Sequence, residues 1–273
     1  MAATVFGRVS QVIRGRHVLR RSLALPLALA LASSILATPS PSAPATPTTP
    51  TVDEIVARHV EACGGLKKIR SIQTLREKGR ITAGANRQAL VTRELKRPNR
   101  IRFEFTVQGV TGVFVSDGEQ GWKMSPFEGN TGPTPLTDEV VREAAEQGDF
   151  EGPLVDWKAK GHQVELVGRQ AVGDRETYKL KLTLKSGAIR YEYLDVKTYY
   201  RLRTDSTREM RGHPVQIKAT FGDYRKAKGV LFPHRIDVEA EGRPQRLSVV
   251  VEKIEVNPPL SDALFEMSDL AQP

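Results

Sequence analysis

Period-two alternation constrains this chain more than any other feature. "RIRFEFTV" puts Ile101, Phe103, Phe105 and Val107 on one side and Arg102, Glu104 and Thr106 on the other. "TYKLKLTLK" sets Tyr178, Leu180, Leu182 and Leu184 against Lys179, Lys181 and Thr183. "AIRYEYLDV" sets Ile189, Tyr191 and Tyr193 against Arg190 and Glu192, and "VQIKATFGDY" offers Val215, Ile217, Ala219 and Phe221. "RIDVEAEGR" turns Ile236, Val238 and Ala240 away from Asp237, Glu239 and Glu241, and "RLSVVVEKIEV" completes the series. A period of two marks strands, and one apolar side with one charged side marks antiparallel sheet that is wet on one face. Turn chemistry separates the runs at 97–99, 116–118, 185–188, 211–214, 226–229 and 241–244. The expected class is therefore mainly β, with about ten or eleven strands.

Two stretches read as helix. In "TVDEIVARHVEACGG", Val52, Ile55, Val56, His59 and Val60 recur at helical spacing, Thr51 or Asp53 can cap the start, and Gly64–Gly65 ends it. Within 134–161, Leu136, Val140, Val141 and Ala144 form a stripe behind Thr137 or Asp138, and a second short helix is expected around Leu154–Trp157. A sheet this long must curl or split, because each strand twists against its neighbour. These helices are too short to cover a flat sheet and suit the mouth of a curl. The expected architecture is a curved, incomplete (half) barrel with a helical lid over an apolar space.

Residues 1–37 read as an export signal. Arg8, Arg14, Arg16, Arg20 and Arg21 precede "LALPLALALASSIL", an apolar run too short to span a bilayer, and Ala37 is a plausible last residue before cleavage. The pair Arg20–Arg21 suggests twin-arginine export, but "LRRSLA" fits that pattern poorly and the general route is preferred. "TPSPSAPATPTTP" (38–50) is an extended Pro/Thr-rich linker, leaving one domain over 51–273.

The 41 Lys and Arg against 32 Asp and Glu give +9, but removing the five leader arginines leaves 36 against 32, or +4. No dense basic block with interleaved aromatics remains, which argues against nucleic acid. The lone Cys63 lies far from the signal, so lipid anchoring at the cleavage point is not expected, and it has no partner for an internal disulfide. It reads as a small buried side chain. His17, His59, His162, His213 and His234 are scattered with no metal-ligand spacing, and "FVSDG" is no nucleophile elbow, so neither an enzyme nor a cofactor is indicated.

"LKRPNRIRFEF" (95–105) followed by "VFVSDGEQGWKMSPF" (113–127) resembles the LolA family of periplasmic lipoprotein carriers. The shared pattern is a strand ending in Lys96-Arg97-Pro98-Asn99, then Val115-Ser116-Asp117-Gly118, Trp122 and Pro126-Phe127. "FGDYRKAKGVLFPHRI" and "FEMSDL" resemble a strand–turn–strand and a closing segment of the wider superfamily. The resemblance implies an incomplete barrel whose cavity holds lipoprotein acyl chains. These are taken from an inner-membrane ABC transporter and handed to an outer-membrane receptor. It implies that Arg97 hydrogen-bonds to the lid. The receptor of the family is itself a lipoprotein, so a carrier fits this chain better. The longer C-terminal half, with "RTDSTREMRGH" and "DYRKAKG", departs from the carriers and keeps a second role open: a sensor or interaction module on the same fold, binding a lipoprotein or regulatory protein.

The candidate ligand-binding residues are Arg97, Phe103, Phe105, Phe114, Trp122, Met124, Tyr191, Tyr193 and Phe221. Large rings just past a hairpin turn on the concave face would line the cavity, and methionine adapts to variable ligands. Phe114 points away from Val113 and Val115 by alternation.

Overall fold

The computed structural model describes residues 49–84, 87–210, 213–243 and 245–267. The expected export signal, most of the linker and the end of "FEMSDL" lie outside the described residues. The described residues from Pro50 onward form one compact unit, which holds the whole sheet.

Helix α1 (Val52–Ala62) opens with a capping box: the Thr51 hydroxyl accepts from the Glu54 amide at 3.3 Å, and the Thr51 amide donates to the Glu54 carboxylate at 2.8 Å. Gly64 and Gly65, with φ of 122° and 85°, end it. A short α2 (Leu66–Ser71), unforeseen from the sequence, leads into the sheet. The strands are β1 (Thr74–Ala83), β2 (Arg87–Lys96), β3 (Arg100–Val107), β4 (Val110–Ser116), β5 (Gly121–Ser125), β6 (Asn130–Pro135), β7 (Gln163–Val172), β8 (Arg175–Thr183), β9 (Ile189–Asp195), β10 (Arg201–Met210), β11 (His213–Ala227), β12 (Val230–Ala240) and β13 (Leu247–Val256). Helix α3 (Asp138–Gly148), capped by Thr137, lies between β6 and β7.

All thirteen strands belong to one antiparallel sheet in the order β6-β5-β4-β3-β2-β1-β13-β12-β11-β10-β9-β8-β7. The sheet is open, not closed into a barrel. The count exceeds the expected ten or eleven because polar β1, β2 and β7 and the proline-bearing β6 alternate weakly. Proline is tolerated at an edge, which is where β6 lies. The stretch 153–161, expected to hold a second short helix, is a series of turns, with Asp156 at φ 52°. Among the described residues no helix is long and apolar enough to cross a membrane.

The topology is two meanders joined at one seam, where β1 pairs with β13. A β-bulge between Lys78 and Gly79 lies in this seam, and a Cβ on Gly79 would stand 2.0 Å from the Val250 carbonyl oxygen. The bulge keeps Leu247, Val249 and Val251 on the same face as Ile254 and Val256.

Directly opposed residues share a face, so the register can be followed across the sheet. One row runs Phe221, Ile236, Val249, Ile81, Ala89 from β11 to β2. The same face carries Phe103 and Phe105 on β3 and Leu180 and Leu182 on β8. Helix α1 covers one end of it, with Ile55 and Val56 packed on Tyr178, Leu180, Leu182, Leu184 and Leu194. Helix α3 lies over the other end against β3 and β4, and Gly148 is so close to the turn after β2 that a Cβ would stand 2.3 Å from the Asn99 carbonyl oxygen. The same helix pairs Glu146 with Arg190 on β9 (3.4 Å) and Glu143 with Arg208 on β10 (3.7 Å).

The opposite face is charged and laced with ion pairs such as Arg76–Glu94 at 2.6 Å and Arg80–Glu252 at 2.5 Å. It carries an apolar pad of Val113, Val115, Trp122 and Met124, roofed by Leu260, Leu264 and Phe265 of the C-terminal segment. That segment is also held by hydrogen bonds from Lys96 to the Leu260 carbonyl (2.9 Å) and from Arg102 to the Leu264 carbonyl (3.1 Å). Phe265 is fully buried. Phe265→Ala is expected to lower stability by about 3–5 kcal/mol in urea unfolding, the usual cost of deleting a buried ring; a loss under about 1 kcal/mol would contradict the packing described.

Candidate functional site

The residues singled out from the sequence divide between the two faces. Phe103, Phe105 and Phe114 share the apolar face, since Phe103 stands opposite Phe114, and Phe221 lies further along it. Phe105 lies across Gly112, where a Cβ would come within 2.3 Å of the ring, and stacks on Phe103 (6.3 Å between centroids) and on Phe127 (5.4 Å). Phe127 belongs to the Pro-Phe motif, and its place beside Phe105 was not legible from the sequence. It is 45% exposed at the end of this aromatic row.

Trp122 and Met124 do not join that row. They stand opposite Val115 and Val113, on the other face, beneath the C-terminal segment. The expectation that Trp122 faces the concave side with Phe103 is corrected by this pairing: Lys123, between them, occupies the apolar side.

Tyr191 and Tyr193 also lie on the charged face. Tyr193 is opposite Lys179 on one side and Arg203 on the other. Arg203 stacks on its ring at 4.5 Å, Lys179 stacks on Tyr191 at 4.8 Å, and the Tyr193 hydroxyl donates to Asp205 at 2.8 Å. Burial, then the Asp205 carboxylate, push the Tyr193 phenol up to about 12. An amphipathic ring fits either face, so alternation assigns β9 wrongly. The apolar side of β9 carries Leu194 and Glu192 instead.

Arg97 sits in the turn after β2. Its Nε donates to the Ile72 carbonyl at 2.6 Å, its guanidinium reaches the Ile69 carbonyl at 3.2 Å and pairs with Glu151, and Phe150 stacks beneath it at 4.9 Å. It thus ties the end of α2 to the segment following α3. The Lys-Arg-Pro-Asn and Ser-Asp-Gly motifs meet here: Gly118 of the Asp-Gly turn packs on the Asn99 side chain, and Asp117 accepts from the Glu119 and Gln120 amides at 2.8 and 2.7 Å.

The middle of the apolar face is incompletely covered. Val91, Phe103, Ala219, Phe221, Ile236, Val238 and Val249 are only half-buried, whereas Ile81, Ala83, Ala89 and Leu247 beside them are buried. Such a surface can accept hydrocarbon without directed chemistry.

Beside it lies a polar inclusion that alternation concealed. Glu192 is fully buried, and neither carboxylate oxygen has a hydrogen-bond partner. Arg190 and Arg201 approach it at 3.9 Å each, too far for hydrogen bonds. Burial raises the Glu192 pKa, and Arg201 and Arg190 oppose that rise. Arg201 stacks on Phe221 at 4.3 Å, and its Nε is also unpartnered. Under α1, His59 Nδ1 bonds the Tyr199 carbonyl at 2.8 Å, and burial lowers the ring to about 4, with Arg201 adding to the fall. Burial pushes the Cys63 thiol up to about 11, which makes it an inert thiol.

No family model matches the sequence, and no curated protein matches it. Solved structures do. A protein of the DUF1329 family from Desulfovibrio piger is 16% identical, with a TM-score of 0.56 over 81% of this chain and 100% of that one. A domain from Vibrio parahaemolyticus, provisionally described as an outer membrane lipoprotein-sorting protein, is 12% identical, with a TM-score of 0.55 over 80% of this chain and 97% of that one. A LolA superfamily protein from Nitrosomonas europaea is 13% identical, with a TM-score of 0.53 over 80% and 98%. The fold is LolA-like. At these identities the LolA likeness concerns the fold, and residue roles rest on the geometry above.

This LolA-like arrangement makes two outcomes testable. Removing Arg97 leaves the largely buried Glu151 with Lys160, at 3.8 Å, as its remaining ion pair among the described residues. Arg97→Ala is expected to raise hydrogen exchange over 149–157, and a double-mutant cycle with Glu151→Gln should give a coupling of about 1–3 kcal/mol; zero coupling would deny the tie. His59, held below its unfolded value of 6.5, binds its proton more weakly in the folded chain. Its contribution is therefore present above about pH 6.5 and lost as pH falls towards 4, by roughly 1–3 kcal/mol. His59→Gln should flatten that part of the stability–pH curve, and an unchanged slope would contradict it.

Proposed function

We propose that this protein is an exported, non-catalytic periplasmic carrier that shields the acyl chains of lipoproteins, or other lipids, and delivers them towards the outer membrane. The observation that carries the reading is the continuous apolar face, half-buried at its middle and spanned by α3. Strands β3 and β10 are six places apart, about 29 Å in a flat sheet at about 4.8 Å per strand. An 11-residue helix about 16 Å long packs on β3 and pairs with β10. That reach favours a sheet bent into a half barrel with α3 as its cover. The LolA-like fold supports the same reading.

Each methylene moved from water onto such a face contributes about 0.8 kcal/mol, so acyl chains bind through area alone. Release requires that the empty face not be costly. A cover that lies on it when empty competes with the ligand. Arg97 would hold the segment after that cover and so poise open against closed. An inner-membrane ABC transporter as donor and an outer-membrane receptor as acceptor complete the proposed route.

The test is direct: the mature chain is purified, delipidated and titrated with a fluorescent fatty acid, and lipid carried through purification is identified by mass spectrometry. Val238→Asp, on the half-buried part of the face, should weaken binding at least about tenfold, as expected for a charge placed against hydrocarbon. Leu90→Asp, on the charged face and 61% exposed, should leave it unchanged. A chain that carries no lipid and ignores the probe sinks the reading. Recovery of a regulatory protein without lipid would favour the interaction module instead.

A further inference from the structure

Beyond the pairing of Arg190 with Glu146 on α3 and of Arg201 with Tyr224, the trio Arg190, Glu192 and Arg201 has no evident structural use. Its members lie on the apolar side of the sheet: Glu192 stands opposite Leu180 on β8 and Thr204 on β10, Arg190 opposite Leu182, and Arg201 opposite Leu194. A charge cluster kept for stability is normally knit by hydrogen bonds, because a partly satisfied buried network costs more than an apolar one. Here both Glu192 oxygens and the Arg201 Nε are unpartnered, and the guanidinium groups stop at 3.9 Å. Glu192 is fully enclosed, whereas the Arg190 and Arg201 side chains retain 22% and 28% of their surface. The arginines are thus the less enclosed members, although the Arg201 Nε itself is buried. Helix α3 adds two features: Glu146 shares Arg190 at 3.4 Å, and the neighbouring Gln147 has a buried, unpartnered amide nitrogen. Phe221 stacks on Arg201 and continues into the apolar row, so the unpartnered Arg201 Nε and hydrocarbon-accepting surface are contiguous.

We propose that Arg190 and Arg201 form a head-group site for an anionic amphiphile, whose tail lies along the row from Phe221 towards Phe103. This deepens the carrier reading and rests on it. The anionic group, a fatty-acid carboxylate or a lipid phosphate, takes the donors of the two guanidinium groups, which are forked to match such oxygens. Glu192 holds the pair apart in the empty protein and competes for them. The anion also replaces Glu146 on Arg190, so that occupancy of the site loosens α3.

The experiment uses the delipidated mature chain and three probes with comparable tails: palmitate, 1-palmitoyl lysophosphatidate and neutral hexadecanol. The wild type should bind palmitate or lysophosphatidate at least tenfold more tightly than hexadecanol, and whichever is preferred identifies carboxylate or phosphate as the source. Arg201→Gln and Arg190→Gln should bring the preferred anion to within about twofold of hexadecanol without changing hexadecanol itself. Arg201→Lys, which keeps the charge, serves if the glutamine variant does not fold, and should lose part of the preference. Glu192→Gln should tighten the anion severalfold only. Equal affinity for all three probes in the wild type, or a preference that survives both arginine changes, overturns the site while leaving the carrier reading intact. Failure of all three probes, hexadecanol included, overturns both.

Discussion

The pairing of β1 with β13 is the contact on which the rest of the structure depends. Every other pairing joins strands consecutive in sequence, so each meander is built from local hairpins. Only the seam brings residues near 80 against residues near 250, and it carries the larger loop-closure cost. It also decides whether the two apolar faces become one. A slip of one residue there would turn one half over relative to the other. The bulge at Gly79 absorbs the extra residue and restores the match, so Val249 meets Ile81 and the apolar row crosses from β11 to β2 unbroken.

A single continuous face has a consequence for its cover. Two short helices cannot roof thirteen strands. Helix α1 seals the β7–β9 end with a full aliphatic contact, and α3 closes on β3 and β4 through small residues, with Gly148 against Asn99. The middle is left half-buried, and beside it, on β9 and at the start of β10, the chain places buried polar atoms without hydrogen-bond partners, on Glu192 and Arg201. The firm cover at one end and the ion-paired cover at the other are physically different. Aliphatic burial is lost only by exposing area to water, whereas the Glu146–Arg190 and Glu143–Arg208 pairs can be exchanged for other partners.

Much of the strand content was legible because alternation is a local property. Leu180, Leu182 and Leu184, along and just after β8, are buried as their spacing requires, and Thr51 and Thr137 cap the helices that their positions suggested. The failures share a cause. On β9 alternation puts the tyrosines on the apolar side, yet Tyr193 is buried among Lys179, Arg203 and Asp205, because a phenol satisfies a charged face as well as an oily one. Trp122 and Met124 alternate correctly within β5, but alternation gives no sign of which side the C-terminal segment roofs. Glu192 reads as solvated for the same reason. The Lys-Arg-Pro-Asn and Ser-Asp-Gly motifs, by contrast, pack against each other as neighbours in space, which links a resemblance in sequence to a contact.

By itself the sequence determined the mainly-β class, the antiparallel character, the wet and oily sides of the strongly alternating strands, and the two longer helices. These come from periodicity, capping and turn residues, which act over a few positions of chain. Only the tertiary structure decided the strand order, the seam, which of the two sides each helix and the C-terminal segment cover, and the meeting of Arg190, Glu192 and Arg201. Those depend on register between segments far apart in the chain, and register is set by how side chains pack across strands, a property no single segment possesses.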